Sequence, residues 1–138
     1  MSQPDHSSPC FLAVGHCGPD GWMLRTAIQR VIPGASVEDV TSETDLAERL
    51  EGDANRPVVI LVNRKLDGDF RAADGIELIK ARSGAGPVWM LVTNLPDAAA
   101  AAESAGAAPG FGKSDLHSEA TSEALRRAAE LAVARVRA

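Results

Sequence analysis

The sequence predicts an α/β domain of five βα units, a doubly wound parallel sheet of five strands with helices on both faces. Three observations predict it. Short apolar runs alternate along the chain with segments of helical periodicity. One run, Val58–Val62, is uninterrupted by polar residues, as suits a central strand buried on both sides. The chain of 138 residues is long enough to bury one core without metal or disulfide help.

The apolar runs fall at Phe11–Val14, Val37–Val40, Val58–Val62 and Val88–Val92, with a weak fifth around Gly110–Gly112. The first helix is expected over Gly21–Ile32, where Leu24, Ala27, Ile28 and Val31 share a face, Asp20 can cap the start and Pro33-Gly34 ends it. The second is expected near Thr44–Leu50, with Ser42 and Asp45 spaced as a capping box and Gly52 as the stop. Gly75–Ser83 forms the third, closed by Gly84 and Gly86, and alanine-rich Asp97–Ala105 the fourth, between Pro96 and Gly106. The longest runs from Ser118 to Val136, with Leu125, Ala128, Ala132 and Val136 on one stripe. Residues 1–9 read as a disordered tail and 10–138 as a single domain. Trp22 and Trp89 read as packing residues.

Composition narrows the function. With 14 basic and 19 acidic residues and a net charge of −5, the electrostatic footprint of a nucleic-acid binder is missing, and no nucleic-acid partner is expected. No apolar run approaches the roughly 20 residues that span a bilayer, and Met1–Pro9 lacks the charged and apolar regions of a signal peptide. The expectation is a cytoplasmic protein with no membrane partner. Cys10 and Cys17 are too few for a disulfide framework. With His16 they supply fewer than four metal ligands and no Cys-x-x-Cys, so neither metal nor cofactor is expected.

In an open α/β sheet, ligands bind at the carboxyl ends of the strands. Here those ends carry Gly15-His16-Cys17, Asn63, Thr93-Asn94 and Lys113-Ser114. At this point four motifs appear in order. Val58-Val-Ile-Leu-Val-Asn63-Arg-Lys-Leu-Asp-Gly68 resembles a strand that ends in a phosphoacceptor and a Leu-Pro-Gly-like turn. Asp74-Gly75-Ile-Glu-Leu-Ile79 resembles a "DG-ELL" helix start. Pro87-Val-Trp-Met-Leu-Val-Thr93 resembles a strand ending in Thr or Ser. Ala105-Gly106-Ala107 through Lys113 resembles an "AGA-GY-LKP" passage. Together they resemble the receiver domain of bacterial two-component response regulators, over residues 10 to about 136, and imply the flavodoxin-like receiver fold.

The resemblance also shows what has been replaced. Receivers phosphorylate an aspartate at the position of Asn63 and hold Mg²⁺ with it and an acidic pair after the first strand. They contact the phosphoryl group through Thr or Ser and Lys. Here Gly15 and His16 stand where the acidic pair would be, while Thr93 and Lys113 remain. An aspartyl phosphate needs a carboxylate nucleophile, whereas a carboxamide is neutral and offers one acceptor and an NH₂ donor pair. Asn63 is therefore not expected to be phosphorylated. Magnesium seeks carboxylates, and an incoming cation would meet Lys113 and His16 instead. Lys113 has no carboxylate partner among the motif residues; Asp20, Asp67, Asp69 and solvent are the options. The aromatic switch residue expected three places before the lysine is replaced by Gly110, with Phe111 next, on the opposite face of a regular strand.

The leading expectation is thus a non-enzymatic pseudo-receiver in signal transduction, acting by phosphorylation-independent binding of a protein partner, a signalling protein or kinase. The resemblance implies the face of the fourth helix, fifth strand and fifth helix as its docking or homodimer surface. Two alternatives stand beside it. A still-switchable receiver would use Asp67 or Asp69 as a displaced acceptor, or bind a small anion at Thr93 and Lys113. A Rossmann-type nucleotide-binding domain would use the Gly15-x-x-Gly18-x-x-Gly21 loop, with Asp39 on the ribose. Against the last stand the acidic Asp20 and second helix, the lack of room for a substrate domain, and the absence of any tyrosine.

Overall fold

In the computed structural model, which describes residues 9–53, 55–84 and 86–137, strands and helices alternate along the chain. The order is β1 (Cys10–Val14), α1 (Gly18–Val31), β2 (Ser36–Val40), α2 (Glu43–Gly52), β3 (Val58–Asn63), α3 (Gly75–Arg82), β4 (Val88–Val92), α4 (Pro96–Ser104), β5 (Ala108–Phe111), a 3₁₀ turn (Lys113–Asp115) and α5 (Glu119–Arg137). The expected N-terminal tail lies outside the described residues apart from Pro9.

The strands form one parallel sheet in the order β2-β1-β3-β4-β5. Because the three inner strands β1, β3 and β4 are buried, their alternating side chains feed two separate cores. Phe11, Ala13, Val59, Leu61, Val88, Met90 and Val92 meet Leu24 and Ile28 of α1 and Leu125 and Ala128 of α5. Leu12, Val14, Ile60, Val62, Trp89 and Leu91 meet Leu46 of α2, Leu78 and Ile79 of α3 and Ala102 of α4. The chain winds from β1 outward to β2, then returns to place β3 on the other side of β1. The carboxyl ends of β1 and β3 therefore flank the topological switch point, where such sheets form their crevice.

Local sequence explains the starts of α2 and α3. Ser42 Oγ accepts from Asp45 N at 3.0 Å, the expected cap of α2. Asp74 Oδ1 accepts from Glu77 N at 2.9 Å and starts α3.

Three expectations about α1 and Trp22 need correction. Helix α1 starts at Gly18 rather than Gly21, because Pro19 sits in its first turn, where a fixed φ and a missing N–H suit helix entry. Asp20 therefore lies inside that turn and does not cap it. Trp22 is not a packing residue: it points outward and is 66% exposed, whereas Trp89 is buried.

The fifth strand, expected around Gly110–Gly112, runs instead over Ala108–Phe111, and it is not regular. Its register against β4 passes from Met90↔Ala108 to Val92↔Phe111, one extra residue on the β5 side, which makes a bulge. Gly110 occupies the bulge with its Cα against β4, and a Cβ there would strike the Leu91 carbonyl oxygen. Phe111 packs in the core beneath α1 and α5.

Candidate functional site

The parallel register brings the strand ends level: Val14 pairs with Val40 and with Val62, and Asn63 with Val92. The residues that follow therefore meet at one edge. Asn63 sits at their centre, and its carboxamide uses both ends. Nδ2 donates to Gly15 O at 3.2 Å and to Lys65 O at 2.7 Å, while Oδ1 accepts from Lys113 Nζ at 3.2 Å. Two donated bonds and one accepted bond are what an amide can make and a carboxylate cannot.

Lys113 reaches Asn63 from beyond β5 and also donates to Asp20 Oδ2 at 2.7 Å. The α1 first turn thus supplies the lysine's carboxylate partner, out of the options the sequence left open. The Lys113 ammonium holds the Asp20 carboxyl below its ordinary range. With their side chains 25% and 33% exposed, the pair is partly screened by solvent.

Gly15 takes a left-handed φ of +75° at the end of β1. A Cβ built there would lie 2.7 Å from Leu66 Cδ2, so the loop after β3 closes over this position. Asp67 N donates to Gly15 O at 2.9 Å and fastens the same loop.

His16 turns into the protein and is 6% exposed. Its Nε2 lies 3.0 Å from Leu61 O. A carbonyl oxygen only accepts, so Nε2 carries the proton, and Nδ1 is a bare acceptor, buried with no partner among the described residues. Burial pushes the imidazole down from 6.5 to about 4, against the pull of the Leu61 carbonyl and with some help from Lys113. The expectation that an incoming cation meets His16 needs correction: the ring is neutral at physiological pH and faces the interior.

Thr93 lies at the end of β4, where its Oγ1 accepts from Leu95 N at 3.1 Å and its hydroxyl proton finds no acceptor among the described residues. Asn94 Oδ1 accepts from Ser114 N at 3.1 Å and Ser114 Oγ at 2.9 Å, tying the end of β4 to the turn after β5. A shallow depression of about 320 Å³ opens between Asn63, Arg64, Lys65, Thr93, Leu95 and Lys113. Its charged groups are all cationic. In the sequence Arg64 and Lys65 belong to the motif after Asn63; their place on this rim follows from the turn there.

Asp67 and Asp69 are exposed in the long loop. Asp69 is held away from the centre by its backbone: its N–H donates to Thr41 O at 2.8 Å and its carbonyl accepts from Glu43 N at 3.0 Å. Asp39 faces Arg25 at 3.6 Å. Among the described residues, no three His, Cys, Asp or Glu side chains cluster as a metal site, no helix is long and apolar enough to cross a membrane, and both cysteines are free thiols.

Solved structures of the same shape decide the fold. The chain is similar to the signal receiver domain of a DNA-binding response regulator from Colwellia psychrerythraea 34H, with a TM-score of 0.64 and 15% identity over 89% of this chain and 98% of that one. The fold is that of a response-regulator receiver domain. The isolated receiver domain of RcsB from Salmonella enterica serovar Typhimurium, solved with the phosphomimetic BeF₃⁻, gives a TM-score of 0.60 and 20% identity over 94% of this chain and 97% of that one. A receiver domain from Rhodospirillum rubrum gives 0.57 and 16%, over 90% and 91%. No protein-family model matches the sequence, nor does any curated protein. Within this receiver fold, Asn63, Gly15 and Lys113 converge on the switch-point crevice between β1 and β3.

Proposed function

We propose that this chain is a pseudo-receiver, a signalling module without phosphoryl chemistry that acts by binding a protein partner. The observation that carries the reading is the bonding of Asn63. Its amide spends its donors on Gly15 O and Lys65 O and its acceptor on Lys113. The atoms that would attack a phosphoryl donor are thus employed in holding three segments together.

A carboxamide is a poor nucleophile. Mg²⁺ recruitment has little to work with, since the nearby carboxylate of Asp20 is already neutralised by Lys113. Gly110 removes the rotating aromatic, and its bulge leaves no room for a side chain there. Acceptor, metal site and reporter are thus all altered together, which favours a fixed conformation over a switched one. The partner is a signalling protein or a kinase. A second copy of the chain would dock on the face of α4, β5 and α5, where Ala108, Pro109, Ala124 and Leu131 line an apolar groove.

The test is an amide-resolved NMR titration with Mg²⁺ and beryllofluoride on the wild type beside Asn63→Asp. A silent wild type supports phosphorylation-independent action; saturable shifts around Thr93 and Lys113 in the wild type sink it.

One observation favours a second reading. The depression beside Asn63 is rimmed by Arg64, Lys65 and Lys113, with a Thr93 hydroxyl that donates to none of the described residues. Ammonium, guanidinium and hydroxyl donors are sufficient to hold a small anion without a metal. Inorganic phosphate or sulfate that shifts Thr93 and Arg64 without Mg²⁺ would establish it.

A further inference from the structure

We propose that the cavity at the amino-terminal edge of the sheet binds a small organic phosphate with an apolar or aromatic end, about the size of a nucleoside monophosphate. This site lies at the opposite end of β3 and β4 from Asn63 and does not depend on the state of that residue. The cavity measures about 370 Å³, and Arg56, Arg82, Arg135, Asp53, Val58 and Trp89 contribute to its walls. Three guanidinium groups against one carboxylate run counter to a chain whose net charge is −5.

Cations at helix carboxyl ends are ordinary, because they face the negative end of the helix dipole. That accounts for two of the three. Arg82 closes α3. Arg135, near the end of α5, donates Nη1 to Gly86 O at 3.2 Å and Pro87 O at 2.9 Å.

Arg56 is different. It lies outside any helix, just ahead of β3, and Asp53 Oδ1 approaches its Nη1 at 3.6 Å. Its Nε is buried with no partner among the described residues. A charged donor left unmade in the interior is costly, and the Nε–Nη2 edge of a guanidinium is the one that matches two oxygens of a phosphate. Arg56 lines the cavity, and binding requires its side chain to rotate so that this edge meets the anion.

The rest of the lining is apolar. Trp89, 2% exposed, and Val58 form a floor with Leu50, Ala132 and Val136. An apolar floor with a few charged groups is the usual composition of a small-molecule site, and the volume lies within the range such sites span. The phosphoryl group belongs on the arginines and the ring or alkyl portion on the floor.

The test uses the isotope-labelled full chain and follows the Trp89 indole N–H and Arg56 Nε–H by NMR during titration with adenosine monophosphate, inorganic phosphate and adenosine. Saturable shifts at both groups with the monophosphate are expected, with weaker binding of the other two probes. Arg56→Met should weaken binding about tenfold or more. Arg82→Met, at an exposed position, gives a comparable loss without endangering the fold, and melting temperatures check both variants.

Three outcomes overturn the proposal: no saturable shift with either phosphate-bearing probe, shifts confined to Thr93 and Lys113 at the other end of the sheet, or unchanged affinity in both variants. Adenosine binding as tightly as its monophosphate removes the role of the arginines. Inorganic phosphate binding as tightly as the monophosphate removes that of the floor.

Discussion

The Lys113 ammonium donates to the Asp20 carboxylate at 2.7 Å, joining residues 93 positions apart across the mouth of the crevice. This ion pair links the first turn of α1 to the turn that follows β5, with Asn63 Oδ1 as the lysine's second acceptor. The lysine's charge is thus compensated from within the chain. An ion pair with a quarter to a third of its side-chain surface still wet contributes near the upper end of the range for surface pairs, about 1 kcal/mol. A double-mutant cycle of Lys113→Met and Asp20→Asn, read from urea midpoints, should give a coupling of about that size. Additive effects would show that the two residues do not work together.

Changing Asn63 to aspartate restores the receiver's usual residue type but removes both Nδ2 donors. Gly15 O and Lys65 O then face a carboxylate oxygen instead of an N–H. The gained attraction to Lys113 offsets part of this, since that lysine is already engaged with Asp20. We expect Asn63→Asp to lose about 1–2 kcal/mol of stability. It should also remain unphosphorylated after incubation with acetyl phosphate and Mg²⁺, as judged by intact mass. A stable variant that gains a phosphoryl group would mean that Asn63 alone had silenced the site.

Restoring an acid at Gly15 meets a separate obstacle. The φ of +75° is costly for any residue with a Cβ, and Leu66 stands in the way. Gly15→Ala should therefore destabilise by about 1–3 kcal/mol. In a Leu66→Ala background the steric part of that cost disappears while the backbone part remains, so the penalty should shrink without vanishing. An equal penalty in both backgrounds would assign the whole effect to the backbone.

Much of this architecture was legible in the residues, for reasons that differ between elements. Val58–Val62 had to be a central strand, because five consecutive apolar side chains need cover on two sides. Ser42 announced its helix through capping chemistry that depends only on local spacing, while the start of α3 was marked by the Asp74-Gly75 motif and its Asp74 cap came to light only in the structure. What stayed hidden was long-range. The sequence shows Asp20, Asp67 and Asp69 as equal partners for Lys113, and only the three-dimensional path of α1 singles out the first. The β5 bulge was equally hidden, since it is defined by register against Met90 and Val92 rather than by its own residues. His16 read as a crevice residue because it follows β1 directly; a one-residue turn at Gly15 sends its ring inward to Leu61 O instead.

That inward turn gives His16 a pH signature. Its folded-state value, about 4, lies below the unfolded 6.5, so between these limits the unfolded chain binds more protons than the native one. Stability is then full above pH 6.5 and falls as the pH drops toward 4, by about 3 kcal/mol in all for this one group. Asp20 acts in a lower window. Its native carboxyl is held below 3.8 by Lys113, so its contribution is present above pH 3.8 and is lost only as the pH falls further. Urea midpoints of the wild type should therefore decline between pH 6.5 and 4, before Asp20 titrates. In His16→Gln, the glutamine at position 16 does not titrate in this interval and can still donate to Leu61 O. It should flatten the decline while leaving the acid limb below pH 4 in place. Parallel curves for the two proteins would mean that the His16 ring takes up its proton without unfolding, through an acceptor or water able to reach Nδ1.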